Sequence, residues 1–193
     1  TDFNITYNKN KLVEMYVTPP SSPSMQISQE YWEGYPVGTI FAYKWAGLDP
    51  ETGMPRVYDS KGDIVESVSD IDDIAAVPYQ GTTIPPWYGS LTNSIRYKSF
   101  ELSFMFIYNL GNVMRNDINT QYSYRLTSSV HNDFAKRWKQ PGDELTTNVP
   151  AYYSLKSTTV NENDVLTLYQ YADINVLDAS YIKLRDVSLS YSL

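Results

Sequence analysis

Apolar residues along this chain recur mostly at every second position, the period of a strand with one buried face, and seldom with helical spacing. Phe3, Ile5 and Tyr7 alternate with Asn4 and Thr6 and predict a short strand. A polar, proline-bearing connection follows, centred on residues 18–24. Residues 40–45 predict a second strand with Phe41, Tyr43 and Trp45 on one face. Residues 46–86 read as a loop, because Gly47, Asp49-Pro50, Thr52-Gly53, Lys61-Gly62-Asp63 and Pro85-Pro86 are all turn signals. Within that loop the acidic stretch 70–76 predicts one short helix, and no internal repeat is visible.

The clearest pattern runs from Trp87 to Leu110. Trp87, Gly89, Leu91, Asn93, Ile95 and Tyr97 share one face, while Tyr88, Ser90, Thr92, Ser94 and Arg96 share the other. After Lys98-Ser99 the pattern resumes with Phe100, Leu102, Phe104, Phe106, Tyr108 and Leu110. Residues flanking a two-residue hairpin loop pair directly and point to the same side, so Tyr97 and Phe100 agree in phase. Lys-Ser lacks the Gly or Asn that primed turns prefer. Ten residues separate Trp87 from Tyr97, roughly 33 Å along a strand at about 3.3 Å per residue. Tilted by about 40–45°, that length spans roughly 25 Å, the height of the apolar band on an outer-membrane barrel, with aromatic residues at both rims. A long hairpin in a soluble β-sandwich is the other reading, although strands of this length exceed the usual five or six residues.

Beyond Gly111 the chain runs for about 70 residues before another clear strand, a length that is unusual inside a compact soluble domain and ordinary for the extracellular side of a barrel. Residues 132–139 predict a short helix stopped by Pro141-Gly142, with Phe134 and Trp138 on its apolar side. In the last strand, residues 181–193, Val187, Leu189, Tyr191 and Leu193 fall on one face and Ser188, Ser190 and Ser192 on the other. Ile182 and Leu184 are in the opposite phase, so a β-bulge is expected near Arg185-Asp186, where the strand would leave the bilayer.

Composition narrows the choice. The 193 residues carry 15 basic and 22 acidic side chains, a net charge of −7 that argues against nucleic-acid binding. Cysteine is absent, which excludes a disulfide framework, a thiolate metal site and a cysteine nucleophile. Aromatic residues reach 15%, and 18 of them are tyrosine, a side chain suited to half-wet positions. No apolar run is long enough for a transmembrane helix, a test that barrel strands escape. The opening residues Thr1–Ile5 lack the charged and apolar regions of a secretion signal, and a start inside an alternating strand favours a piece of a longer protein.

Catalytic constellations are not evident. His131 is the single histidine and sits in a polar stretch, more readily a solvated loop residue than a base. Neither a nucleophile elbow nor a phosphate-binding glycine loop appears. Asp70, Asp72 and Asp73 resemble part of a calcium loop but lack its glycine and terminal glutamate, so a solvated acidic turn is the simpler reading. Asp49 and Glu51 bring two carboxylates close, yet their Asp-Pro-x-x-Gly setting reads first as a tight turn. Of the tryptophans, Trp45, Trp87 and Trp138 have structural roles available, and Trp32 is the freest candidate for stacking on a sugar. The expectation is therefore of no enzyme, catalytic residue, metal or cofactor.

Several segments resemble the C-terminal part of the SusC/RagA group of TonB-linked outer-membrane transporters. They are residues 38–53 (GTIFAYKWAGLDPETG), residues 85–116 with the core Arg96-Tyr97-Lys98-Ser99-Phe100-Glu101-Leu102-Ser103, residues 137–143 (RWKQPGD) and residues 178–191 (DASYIKLRDVSLSY). They occur in the family's order and span most of the chain. The resemblance implies an all-β, antiparallel partial barrel, with residues 1–193 forming late strands of a 22-stranded wall. It also implies import of a glycan or peptide across the outer membrane, a SusD-like surface lipoprotein as partner, and TonB acting through a plug domain that these residues lack. Loops 46–86 and 111–180 would be extracellular and the Lys98-Ser99 turn periplasmic. The competing class is a soluble, acidic, aromatic-rich carbohydrate-binding β-sandwich. An isolated fragment of barrel would expose unpaired strand edges and an apolar face, so poor solubility is expected of it.

Overall fold

The computed structural model describes residues 1–16, 22–116, 118, 132–152 and 162–192. Its strands in chain order are β1 (Asp2–Tyr7), β2 (Thr39–Phe41), β3 (Lys44–Leu48), β4 (Pro55–Tyr58), β5 (Ile64–Val65), β6 (Tyr79–Thr82), β7 (Trp87–Tyr97), β8 (Phe100–Leu110), β9 (Val113–Arg115), β10 (Val176–Asp178) and β11 (Tyr181–Tyr191). Two α-helices join them, α1 (Pro23–Gln26) and α2 (Glu162–Gln170). Neither helix is long and apolar enough to cross a membrane.

Four long strands form one antiparallel sheet in the order β1-β7-β8-β11. Pairing of β7 with β8 follows the alternation without a slip, from Tyr97 opposite Phe100 to Trp87 opposite Leu110. Lys98 takes a positive φ of 53° at the first central position of the turn. A lysine is tolerated there because the eleven-residue register on each side holds the corner closed. Pairing of β11 with β8 shifts between Leu184 and Asp186, leaving Arg185 as the extra residue. That bulge repairs the phase reversal seen in the sequence. Ile182 and Leu184 lie opposite Tyr108 and Phe106, and Val187, Leu189 and Tyr191 lie opposite Phe104, Leu102 and Phe100, so all five share one face. Its position differs from expectation: it stands opposite Met105 and Phe106, midway along β8, and not at the end of the apolar stripe.

The sheet is two-faced throughout. Its apolar side is left open, with Ile95 55%, Val187 56% and Leu189 70% exposed. Among the described residues the four-stranded sheet pairs with no further strand at β1 or β11, and the buried clusters lie outside it. A β-sandwich would bury this face under a second sheet; here the arrangement is a partial barrel wall.

The described residues between these strands are not open loops. The stretch 46–86 contains most of β3 and all of β4, β5 and β6, and the stretch 111–180 contains β9, α2 and β10. The strand predicted over 40–45 is broken into β2 and β3, because β2 pairs with β6 whereas β3 pairs with β4. At the break, Tyr43 bridges to Ala172. The single helix predicted over 70–76 is two 3-10 turns, Val68–Asp70 and Ile74–Ala76. Ser67 caps the first, and Asp73 accepts a bond from the Ala75 amide to start the second, which interrupts a continuous helix. The helix predicted over 132–139 is a 3-10 segment ending at Lys136, after which the Trp138 amide donates to the Val149 carbonyl.

These short pieces enclose three apolar clusters. The first gathers Phe41, Tyr43, Val57, Val77 and Leu168 with Ile27, Ile71 and Ala76. The second joins Ile118, Val149 and Tyr169, and the third Leu48, Trp138 and Ala151, with Trp45 packed against both. The two long connections thus fold together as one cap.

Candidate functional site

Every long connection leaves the wall at the end of the sheet marked by Tyr7, Trp87, Leu110 and Tyr181, and the two-residue turn closes the other end. Aromatic pairs mark both ends of the apolar stripe. Tyr7 and Trp87 lie 4.3 Å apart between ring centroids at the cap end, and Phe100 and Tyr191 lie 4.9 Å apart at the turn end. Between them Phe104 and Phe106 meet edge to face at 5.7 Å. Asn93 interrupts the stripe opposite Phe104 and is answered by the Thr1 hydroxyl, to which its amide donates. Gly89 leaves room on the same face: Tyr108 lies directly opposite and donates through its hydroxyl to the Asn4 carbonyl at 2.8 Å.

The opposite face carries a ladder of small polar groups. Ser94 donates to Glu101 Oε1 at 2.8 Å, Ser103 and Ser188 share a hydrogen bond of 2.8 Å, and the Asn109 amide donates to the Tyr181 hydroxyl at 2.9 Å. Met105 and Ile107 break this ladder opposite Thr92 and Ser90, so the contrast between the two faces is sharpest from Ser94 to Ser103. Period two produces the contrast because neighbouring side chains point to opposite faces of the sheet.

The cap is tied across its two halves by backbone and by buried side chains. The Tyr43 amide donates to the Tyr171 carbonyl and the Asp173 amide donates to the Tyr43 carbonyl, both at 2.9 Å. Asp173 Oδ1 accepts from the Trp45 amide at 3.1 Å, and Ser67 Oγ donates to Asp164 Oδ2 at 2.8 Å. Burial, helped by the nearby Asp164 and Tyr171, pushes the Tyr43 phenol up to about 12. The Ala151 amide donates to the Gly53 carbonyl at 3.1 Å, which brings Trp138 down on the Gly53 turn. Gly53 has a φ of +70°, and a Cβ there would stand 2.4 Å from Trp138 Cδ2, so only glycine fits under the ring.

Residues singled out in the sequence fall mostly into this scaffold. Asp49 accepts from the Glu51 and Thr52 amides and the Thr52 hydroxyl, at 2.8–3.0 Å, and lies 3.7 Å from Arg56 Nη1. Burial works against its charge, but the Thr52 and Glu51 bonds and the Arg56 guanidinium together hold its carboxyl below the ordinary range. It is the anchor of a turn, and Glu51 is exposed beside it. Asp73 is spent on the Ala75 amide. Among the described residues, no three His, Cys, Asp or Glu side chains gather around a point where a metal ion could sit. Trp32 packs edge to face on Phe41 at 6.0 Å, and Trp45 leans on Tyr169 at 6.0 Å. Trp138 is buried and donates through Nε1 to Glu144 at 3.2 Å. Phe134 and Trp138, expected on one side of a helix, enter different clusters. His131 lies outside the described residues.

No family model matches the chain. TonB-dependent receptor P3 of Formosa agariphila is 22% identical to it over 209 aligned positions, which cover 100% of this chain and 19% of that protein. Among solved structures, the RagAB peptide transporter superposes with a TM-score of 0.62 at 19% identity, covering 98% of this chain and 20% of that one. The RagAB peptide importer in its open-open state gives 0.57 at 17% identity, covering 98% and 19%. The fold is that of a segment of the RagAB transporters. The chain spans about a fifth of the length of the proteins it matches.

In the cap, two features escaped sequence reasoning. The helix α2 buries Val165, Leu168 and Tyr169, and Ala172 continues the stripe just beyond it; this spacing of three and four was present in the sequence and is the signal of an amphipathic helix. Arg115 on β9 gave no such signal. Its Nη2 donates to the Phe41 carbonyl at 2.8 Å, Nη1 reaches the Gln170 carbonyl at 3.5 Å, and the guanidinium lies 4.7 Å from the Tyr171 ring centroid. Burial lowers its pKa, partly opposed by Tyr171.

Proposed function

We propose that this chain is wall and extracellular cap of an outer-membrane, TonB-dependent importer of an oligomeric nutrient. The observation that carries the reading is the two-faced sheet: an apolar, aromatic-bounded stripe on one side, a serine-rich ladder on the other, and the cap gathered at one end. In lipid every backbone group must be paired within the protein, and a two-faced antiparallel wall with its edges closed by further strands meets that demand. The apolar face then meets lipid, the Ser94–Ser103–Ser188 face lines the lumen, and the Lys98-Ser99 turn is periplasmic.

Residues 1–193 belong, in this reading, to one barrel domain whose plug and remaining strands lie elsewhere in a longer protein. Energy comes from TonB through the plug, and a SusD-like surface lipoprotein is the partner over the cap. No covalent step falls to this segment. Substrate is a glycan or a peptide; the names of the RagAB transporters favour a peptide.

The test is uptake by cells that make the full-length protein. Labelled oligopeptides and oligosaccharides of graded length should enter wild-type cells, accumulate no further when TonB is deleted, and leave the protein in the outer-membrane fraction. Uptake indifferent to TonB, or recovery of the protein as a soluble species, refutes the reading.

A further inference from the structure

Between α1, β2, β9 and the end of α2 lies a cleft of about 310 Å³ whose walls include Ile27, Thr39, Ile40, Met114, Arg115 and Tyr171. We propose that this cleft binds a small ligand through its carboxylate, with Arg115 as the cationic partner and Thr39 as a second hydrogen-bonding group. Three observations meet there. Arg115 is half-buried, yet among the described residues no carboxylate pairs with it; its contacts are the Phe41 and Gln170 carbonyls and the Tyr171 ring. A cation partly removed from water gains most from an anion beside it, and a guanidinium presents five donors, more than two carbonyls occupy. Thr39, 2% exposed, lines the same cleft and leaves its hydroxyl without a hydrogen-bond partner. Such orphaned buried groups mark places where a ligand or water completes the site.

The remaining wall sets Ile27, Ile40 and Met114 beside Ser28, Gln29, Glu30, Thr83 and Gln170, so the ligand carries a nonpolar group beside its carboxylate, and the Glu30 carboxylate leaves Arg115 as the one place in the cleft where that charge is favoured. The C-terminus of a short peptide and the carboxylate of a uronic acid share the charged end; the apolar surface of Ile27, Ile40 and Met114 favours the peptide. This inference deepens the import reading by naming a chemical group of the substrate, and it rests on that reading only for the ligand's role. Binding is measured on purified protein without energised uptake, so the two fail separately.

The experiment is isothermal titration of the full-length protein in detergent with alanyl-leucine, with its C-terminal amide and with glucuronate. Alanyl-leucine should bind at least tenfold more tightly than the amide. Arg115→Gln should abolish that preference, and Thr39→Val, which keeps the shape of the side chain, should weaken alanyl-leucine binding severalfold. Binding of glucuronate in place of the dipeptide, lost in Arg115→Gln, keeps the carboxylate site and moves its source to a sugar acid. Equal binding of acid and amide, or no binding of either acid to wild-type protein, overturns the proposal. Should Arg115→Gln fail to fold, the acid-to-amide ratio on wild-type protein and the Thr39→Val titration decide it.

Discussion

A charge placed in the middle of the apolar stripe tests which medium that face meets. Phe104 stands four residues beyond Phe100, roughly 13 Å along the strand at about 3.3 Å per residue. With a tilt of about 40–45° it lies roughly 10 Å above the turn-end aromatic ring in a band about 25 Å tall, close to its midplane. Phe104→Arg therefore takes nearly the full midplane penalty of about 2–4 kcal/mol. It also loses the edge-to-face contact with Phe106, worth about 0.5–1.5 kcal/mol. The neighbouring Ser103→Arg points to the other face and loses only the hydrogen bond shared with Ser188, about 0.5–1.5 kcal/mol. Urea-driven unfolding of full-length protein in phospholipid vesicles, followed by tryptophan fluorescence, should show Phe104→Arg less stable than Ser103→Arg by about 2–4 kcal/mol. Equal losses, or the reverse order, would show that the apolar face does not contact lipid.

Three further perturbations follow from the geometry. Gly53→Ala puts a Cβ 2.4 Å from Trp138 Cδ2 at a φ of +70°; strain and forced repacking should cost about 2–5 kcal/mol, read as a lower thermal midpoint and an altered tryptophan spectrum. Deleting Arg185 removes the bulge yet restores strict alternation from Ile182 to Tyr191, so the variant should still give a heat-modifiable band on electrophoresis. Deleting Ser103 instead flips half of β8 to the wrong face and should abolish that band. Asp49 has a carboxyl pKa below its ordinary value, so its contribution is complete above the unfolded pKa near 4 and is lost as pH falls through the lower folded value. Asp49→Asn should weaken the cap at neutral pH and flatten the acid limb of its stability profile; an unchanged limb would assign the acid sensitivity to other groups.

How much was legible in the sequence follows from where each side chain points. The hairpin β7–β8, its faces, its register and the existence of a bulge in β11 could be read directly, because successive side chains of a long strand alternate between an apolar and a polar face, with Gly89, Asn93, Met105 and Ile107 as exceptions too few to hide the period. Even the bulge announced itself, as a change of phase between Leu184 and Val187. Its place opposite Phe106 did not, since that depends on how far β11 is displaced along β8. In the cap the same code fails. Its strands are two to five residues long and bury side chains on more than one surface, so neither period has room to show. Partners there are far apart in sequence: Thr39 pairs with Thr82, Tyr43 bridges to Ala172, Arg115 reaches Phe41, and Trp138 rests on Gly53. Local patterning thus determined the wall, whereas only tertiary packing decided that two apparent loops close into one cap with a half-buried arginine at its edge.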